Sequence, residues 1–145
     1  MYKRILVALD GSKQAERNLG HVGVLATKHN AEVILLMVLP MPTIVIQDGK
    51  LVATVDQQVE RLEAEHRPYL EEWKRRLESA GVKASTSVRF GDPATEIADY
   101  AKEHKVDLIV MSHKPRKGLE RLFRRSVTNK VMRLVTTPVL AMRAA

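Results

Sequence analysis

The sequence predicts a three-layer α/β/α fold, in which a doubly wound sheet of five parallel strands carries helices on both faces. Continuous apolar runs at residues 4–9, 33–39 and 106–111 are typical of strands that are buried on both faces. Amphipathic helical segments alternate with these runs, and this alternation implies right-handed crossovers between parallel strands. A length of 145 residues suits one domain, so we expect a single domain over residues 1–145.

The first strand leads through a turn into a helix. Asp10-Gly11-Ser12 closes the apolar run at residues 4–9, and Ser12 can cap a helix that extends to about His29. The second strand, at residues 33–39, ends before a pair of prolines. Both strands are apolar throughout and therefore belong in the middle of the sheet.

The segment after the second strand is an insertion followed by a charged helix. Residues 43–46 and 50–54 favour β-structure and flank Asp48-Gly49, which predicts an inserted hairpin or an ordered loop. A long helix is expected at residues 56–79. We expect Pro68 to kink or divide this helix, because an interior proline lacks the N–H that the helix needs.

The second half of the chain repeats the strand–helix pattern. Residues 82–90 alternate between apolar and polar, which indicates an edge strand with one solvated face. Asp92 can cap the next helix, with Pro93 at its first position. After the strand at residues 106–111, a helix is expected to open at Ser126, and a last strand at Pro138–Met142.

The edge strand fixes the order of the sheet and hence the place for a ligand. With the third strand at one edge, the expected order is 3-2-1-4-5, and its switch point lies between the first and fourth strands. Ligands of open α/β sheets bind outside the carboxyl ends of the strands at such a point. The segments that meet there are Asp10–Ser12 and residues 112–125. A helix that starts at Ser126 would direct free N–H groups at an anion in this crevice.

Charge also points to an anionic partner. The net charge is +7, and six basic residues stand against a single Glu120 in one short segment: Lys114, Arg116, Lys117, Arg121, Arg124 and Arg125. Such a patch attracts anions, although a solvated basic surface is the plainer interpretation. Nucleic acid is the weaker alternative, because only 4% of the residues are aromatic and stacking on bases is unsupported.

Several classes of protein are excluded or disfavoured by composition. The absence of cysteine excludes disulfides, thiolate metal sites and a cysteine nucleophile. Histidines show no metal-ligand spacing, and no nucleophile has an evident base partner, so we expect neither a metal site nor a catalytic residue. No apolar run reaches the length of a membrane span. The sequence therefore predicts a soluble, cytoplasmic protein that is not an enzyme.

Five segments, in order and at matching spacing, resemble the universal stress protein (UspA-type) family over essentially the full chain. They are Ile5–Ser12, Val33–Val38, Gly91–Pro93, Asp107–Met111, and Ser126-Val127 continuing to Leu140. The resemblance implies an adenine-nucleotide-binding-like, Rossmann-like fold. It also implies a stress-response factor or sensor rather than an enzyme, with at most a weak ATPase activity.

The family's ATP binders share a loop of the form Gly-x-x-Gly-x9-Gly-Ser/Thr, which this chain departs from. Ser112, Pro115 and Arg125 stand at the three glycine positions, and only the final hydroxyl is kept, as Ser126. Pro115 has a fixed φ and no N–H to donate. A degenerate loop is therefore expected, with no cofactor required. Alternatively, arginine and lysine side chains still bind ATP, AMP or another anion, and occupancy acts as a nucleotide-responsive switch.

The resemblance marks a candidate nucleotide or anion pocket. Its residues are Ala8, Asp10, Val38, Met111, Ser112, Lys114, Arg125, Ser126 and Val127. For Asp10 the alternative is a turn aspartate that holds the Asp-Gly-Ser corner. For Ser126 the alternative is a helix cap, and for Val38 an ordinary core position.

The last strand, Pro138 to Arg143, is predicted to join two copies of the chain. Within it, Val139–Met142 are an apolar edge with no charge inside, and such edges invite pairing with another chain. The family resemblance also implies homodimers through this strand. The alternative is an edge that the chain's own end covers, for which only Ala144 and Ala145 remain.

Overall fold

The structure is a computed structural model that describes residues 1–113 and 119–143, with side chains for residues 1–12, 16–112 and 127–142. Strands and helices alternate along most of the chain. The elements are β1 (Arg4–Leu9), α1 (Lys13–His29), β2 (Glu32–Leu39), β3 (Val45–Gln47), β4 (Lys50–Ala53), α2 (Val55–Ser79), β5 (Ala84–Phe90), α3 (Pro93–Glu103), β6 (Leu108–His113), α4 (Leu119–Leu134) and β7 (Val139–Arg143).

Five of the strands form one parallel sheet. Its order is β5-β2-β1-β6-β7, which is the third, second, first, fourth and fifth strand of this sheet in chain order. The three central strands, β2, β1 and β6, start nearly level, since Ile5 of β1 lies opposite Val33 of β2 and Leu108 of β6. From β1 the chain adds β2 and β5 on one side of the sheet, and it then crosses over to add β6 and β7 on the other side. The switch point of the strand order therefore lies between β1 and β6.

Each face of the sheet has its own hydrophobic core. On one face, alternate residues of the central strands pack against α1 and α2, around Val7, Leu19, Val22, Leu35, Leu70 and Leu77. On the other face they pack against α3 and α4, around Leu6, Leu36, Ile97, Ala101, Ile109 and Val131. The three-layer α/β/α fold is thus confirmed. None of the described helices has the length and apolar character that crossing a membrane requires.

The insertion after β2 is an antiparallel hairpin of β3 and β4. Asp48 and Gly49 both have positive φ, 52° and 75°, as a two-residue type I′ turn requires. Thr54 then starts α2 with a capping box, because its side chain accepts from the Gln57 amide while the Gln57 side chain accepts from the Thr54 amide.

Two strands begin later than the apolar runs suggest. Val82 and Val106 were assigned to strands, but their amides donate to the carbonyls of Leu77 and Ala101, each at 2.9 Å. These bonds close the ends of the preceding helices, and the intervening Gly81 has a φ of +85°. The apolar residue therefore belongs to the helix terminus, and β5 and β6 start two residues further on.

Of the two effects expected of Pro68, a kink or a division of the second helix, the division is wrong. α2 is one element of 25 residues that contains Pro68. The proline removes the N–H that would bond to the Ala64 carbonyl, and both residues are on the exposed side of the helix. Water can satisfy that carbonyl, so the helix continues.

The expected start of the last helix at Ser126 is also wrong. α4 begins at Leu119, seven residues earlier, so the second half of the basic segment is helical. Residues 119–125 are Leu-Glu-Arg-Leu-Phe-Arg-Arg, which are mostly strong helix formers with no glycine or proline. With Arg125 where the family's ATP binders carry glycine, nothing in this stretch stops the helix.

Candidate functional site

A cavity of about 180 Å³ lies at the carboxyl ends of the central strands, where β1 and β6 part. Five elements meet there: the ends of β1, β2 and β6, the first turns of α3, and the middle of α4. The lining residues are Ala8, Leu9, Asp10, Leu36, Val38, Pro93, Ile97, Met111, Ser112, Val127 and Thr128. This is the switch point of the sheet, where open α/β proteins bind their ligands.

The cavity is apolar and buried at one end and polar and open at the other. Leu36, Ile97 and Thr128 are almost inaccessible to solvent. Asp10 and Pro93 are exposed at the mouth. A ligand that enters must therefore place its least polar part inside and keep any charge outside.

The carboxylate of Asp10 holds the corner between β1 and α1. Its Oδ1 accepts a hydrogen bond of 2.9 Å from the Ser12 amide, while Gly11 takes the positive φ of 80° that the turn needs. Asp10 therefore has the turn role and also lies at the mouth of the cavity.

A second cavity of about 320 Å³ adjoins the first on the side of α2, and Asp10 and Val38 line both. Glu65, His66 and Tyr69 of α2 supply its polar wall. Burial raises the pKa of the Tyr69 hydroxyl, and the carboxylates of Glu16 and Asp10 raise it further. This side of the mouth is thus unfavourable for negative charge.

The structure brings six of the nine predicted pocket residues to the wall of the smaller cavity. They are Ala8, Asp10, Val38, Met111, Ser112 and Val127. Lys114 lies outside the described residues, and the side chains of Arg125 and Ser126 lie outside the described side chains. The expectation that Ser126 starts a helix with free N–H groups is wrong, because α4 begins seven residues before Ser126.

Two polar residues of this site were not predicted from the sequence. Asn18, only 4% exposed, donates from Nδ2 to the Ser112 Oγ at 2.8 Å and so ties α1 to the end of β6. Thr128 is 3% exposed and lines the cavity. Spacing could have found both, because Asn18 precedes buried Val22 by four residues and Thr128 precedes buried Val131 by three.

An ion pair fastens the two helices that wall the cavity. Lys130 Nζ of α4 lies 2.9 Å from Asp92 Oδ2, and Asp92 also caps α3 by accepting from the Thr95 amide. The Lys130 bond, followed by the Thr95 bonds, lowers the pKa of Asp92 to about 2. This contact sets the spacing of α3 and α4 next to Pro93 and Thr128.

Two larger depressions lie away from the switch point. One, of about 710 Å³, is at the amino ends of the strands, where Arg4 is paired with Glu32 at 2.7 Å and Asp107 accepts from the Lys3 and Arg4 amides. The other is an apolar groove of about 600 Å³ between α1 and α2. Arg4 and Lys83 of the first depression both pair with Glu32, and the second depression is lined mostly by apolar residues. Among the described residues, no group of three or more histidine, aspartate or glutamate side chains could hold a metal ion.

Comparison with known proteins agrees with this architecture. Residues 1–143 match the model of the universal stress protein family. The chain belongs to the universal stress protein family. It is 33% identical to universal stress protein YxiE of Bacillus subtilis over 150 residues, which cover 99% of this chain and 100% of that protein.

Solved structures share the universal stress protein fold. The structure of MJ0577 from Methanocaldococcus jannaschii superposes with a TM-score of 0.82 at 31% identity, over 100% of this chain and 98% of that one. A universal stress protein crystallised in complex with cAMP matches with a TM-score of 0.73 at 23% identity, over 99% of this chain and 98% of that one.

Proposed function

We propose that this universal stress protein binds an adenine nucleotide in the cavity at the switch point, and that occupancy rather than catalysis is its output. The observation that carries the proposal is the cavity itself, apolar inside and polar at its mouth, between β1 and β6. A planar base fits such a space, and a ribose phosphate fits its mouth. The family resemblance and the cAMP complex of a related fold support adenine as the base.

The same geometry favours a monophosphate over ATP. At about 180 Å³ the cavity is below the roughly 300–1,000 Å³ that is usual for small-molecule pockets, so part of the ligand must lie outside it. ATP would need donors for three phosphates there. Ser112, Pro115 and Arg125 replace the loop glycines, and α4 presents no helix start at Ser126. Lys114 and Arg125 are the side chains that we propose contact one phosphate.

Hydrogen bonding at the cavity supports binding without chemistry. The hydroxyl of Ser112, which lines the cavity, accepts from the side-chain amide nitrogen of Asn18, and this nitrogen cannot take its proton. The Asp10 carboxylate is engaged by the Ser12 amide. Neither arrangement activates a nucleophile.

Calorimetry tests the proposal. Wild-type protein titrated with AMP should show micromolar binding, with ATP no tighter. Val38→Phe fills the mouth and should abolish the heat. Val24→Phe makes the same change on α1 at a site that is 71% exposed and should bind like wild type. Arg125→Ala should weaken AMP but not adenosine. Absence of heat at millimolar AMP, or normal binding by Val38→Phe, contradicts the proposal.

A second candidate function is a dimeric interaction module. β7 pairs with β6 on one side, and within residues 1–113 and 119–143 no strand covers its other edge. Leu140 is 39% exposed on this strand. We propose that Pro138–Arg143 pairs with its copy in a homodimer.

Light scattering of the protein as it elutes from a size-exclusion column measures the mass of the particle and so tests the homodimer. The wild-type mass should be that of two chains, and Leu140→Arg should shift it toward one. Met132→Arg introduces the same charge on the exposed side of α4 and should leave the dimer intact. A wild-type protein with the mass of one chain refutes the dimer.

A further inference from the structure

The groove between α1 and α2 has an apolar floor that is open to solvent. Leu19 and Leu77 are buried in this floor, and Trp73 is partly buried there. The volume of about 600 Å³ lies within the roughly 300–1,000 Å³ that is usual for small-molecule sites. The groove shares no described residue with the two cavities at the switch point. It is therefore a separate candidate site.

Two glycines of α1 give the groove its depth. Gly20 and Gly23 line it, and neither takes a positive φ. A Cβ at Gly20 would meet no atom within 4 Å, and one at Gly23 would make an ordinary contact of 3.7 Å with Leu77 Cδ2. Glycine inside a helix lowers stability relative to alanine. Since neither the backbone nor the packing of α1 on α2 requires these glycines, their effect is the open space above them.

One end of the groove is positively charged. Ten described residues line it, and the two charged ones among them, Lys28 and Arg76, are both cations. Each lies in the last turn of its helix, and α1 and α2 run parallel from the carboxyl to the amino ends of the strands. The Arg76 guanidinium lies over the Trp73 ring at 4.6 Å. It shares the Glu72 carboxylate with Arg75, so positive charge is left over at this end.

The length of the groove suits an alkyl chain. From Leu19 to Lys28, α1 advances about 13 Å at about 1.5 Å per residue. An extended chain of C–C bonds advances about 1.3 Å per carbon, so about ten carbons span the groove. The same length is only about two and a half helical turns, which is shorter than an average helix of three to four turns. These dimensions favour a small molecule over the helix of a partner protein.

We propose that the groove between α1 and α2 binds an anionic amphiphile of the fatty-acid type. The carboxylate lies between Lys28 and Arg76, and the alkyl chain lies over Gly20, Gly23 and Trp73. The charge of the groove complements the head of such a ligand, and its apolar floor complements the tail. The site does not depend on the nucleotide that we propose for the switch-point cavity.

Trp73 is the only tryptophan of the sequence, so its fluorescence reports on the groove. The full chain is titrated with octanoate, nonanoate and decanoate below the concentrations at which they form micelles. Fluorescence should change saturably, and affinity should rise by up to about fourfold per added methylene. Decanol, which lacks the charge, should bind about three- to tenfold more weakly than decanoate. No saturable change, or equal affinity for decanol and decanoate, overturns the proposal.

Variants locate the site without weakening the fold. Gly20→Leu fills the groove at a position where the new side chain has room and favours the helix, so decanoate binding should be lost. His21→Leu, exposed on α1 outside the groove, is the matched control and should bind like wild type. Lys28→Glu should weaken decanoate but not decanol, whereas Lys102→Glu on α3 should change neither.

Two outcomes would place something else in the groove. If Gly20→Leu binds decanoate as wild type does, the amphiphile lies elsewhere and the proposal is overturned. If light scattering gives Gly20→Leu a smaller mass than wild type, a second copy of the chain covers the groove, and this also overturns the proposal. The same mass for both proteins, with decanoate binding lost only in Gly20→Leu, supports it.

Discussion

Asp92 stabilises the fold in two ways, as the cap of α3 through the Thr95 amide and as the partner of Lys130 in an ion pair. Two substitutions of Asp92 measure the two contributions separately. Asp92→Ala removes both the cap of α3 and the ion pair to α4. Loss of a cap costs about 1 kcal/mol. The side chains of Lys130 and Asp92 are about half exposed, so the ion pair adds only about 0.5 kcal/mol. The free energy of unfolding should therefore fall by about 1.5 kcal/mol.

Asp92→Asn keeps the cap, since asparagine caps helices as well as aspartate does, and loses only the charge. It should cost about 0.5 kcal/mol, and Lys130→Met should cost the same. Asp92→Asn and Lys130→Met remove the same ion pair, so the double variant should be no less stable than either single variant. Urea denaturation at neutral pH, followed by circular dichroism, measures these differences.

The pH dependence of the same variants gives a further check. The pKa of Asp92 is lowered from 3.8 to about 2 in the folded chain, so the ionised form stabilises the fold. This stabilisation is fully present above the unfolded pKa and is lost as the pH falls toward 2. Solvent screening keeps it to about 1 kcal/mol or less. The gap between wild type and Asp92→Asn should therefore close between about pH 5 and pH 2. A constant gap, or an Asp92→Asn variant as unstable as Asp92→Ala, refutes this account of the contact.

Two other substitutions test the packing. Leu35→Ala, in the middle of β2 with no exposed surface, should lower the free energy of unfolding by about 2–5 kcal/mol in the same assay, whereas Val24→Ala on exposed α1 should change it by less than about 0.5 kcal/mol. Pro68→Ala should raise the melting temperature, because it restores a helix hydrogen bond at an exposed position of α2, and a fall would mean that the proline has a role in the fold.

Sequence patterns predicted the sheet because each central strand is a run of apolar residues with no polar face. The edge position of β5 followed from its alternation, and that single inference fixed the switch point. The bounds failed at Val82 and Val106, whose apolar side chains suit either a strand or the end of a helix. The bonds of their amides to Leu77 and Ala101 decide between the two, and no pattern of side chains encodes them.

The site residues that could be predicted are those whose place depends only on where a strand ends. Ala8, Asp10 and Ser112 follow directly from the ends of β1 and β6. The start of α4 was predicted too late, at Ser126, because the dense run of basic residues before it suggests a loop, although residues 119–125 contain no glycine or proline that would stop a helix. Thr128 was missed because a threonine on a helix is usually exposed, although its spacing of three residues from buried Val131 places it on the buried face. Its burial is a consequence of how α4 packs on the sheet.

A crystal structure of the chain grown with AMP tests the central claim most directly. We expect the base in the switch-point cavity between Val38 and Ile97, and the phosphate at the mouth on the side of α4, away from the Asp10 carboxylate. Density for AMP in the groove between α1 and α2, or at the amino ends of the strands, with the switch-point cavity unfilled, would contradict it.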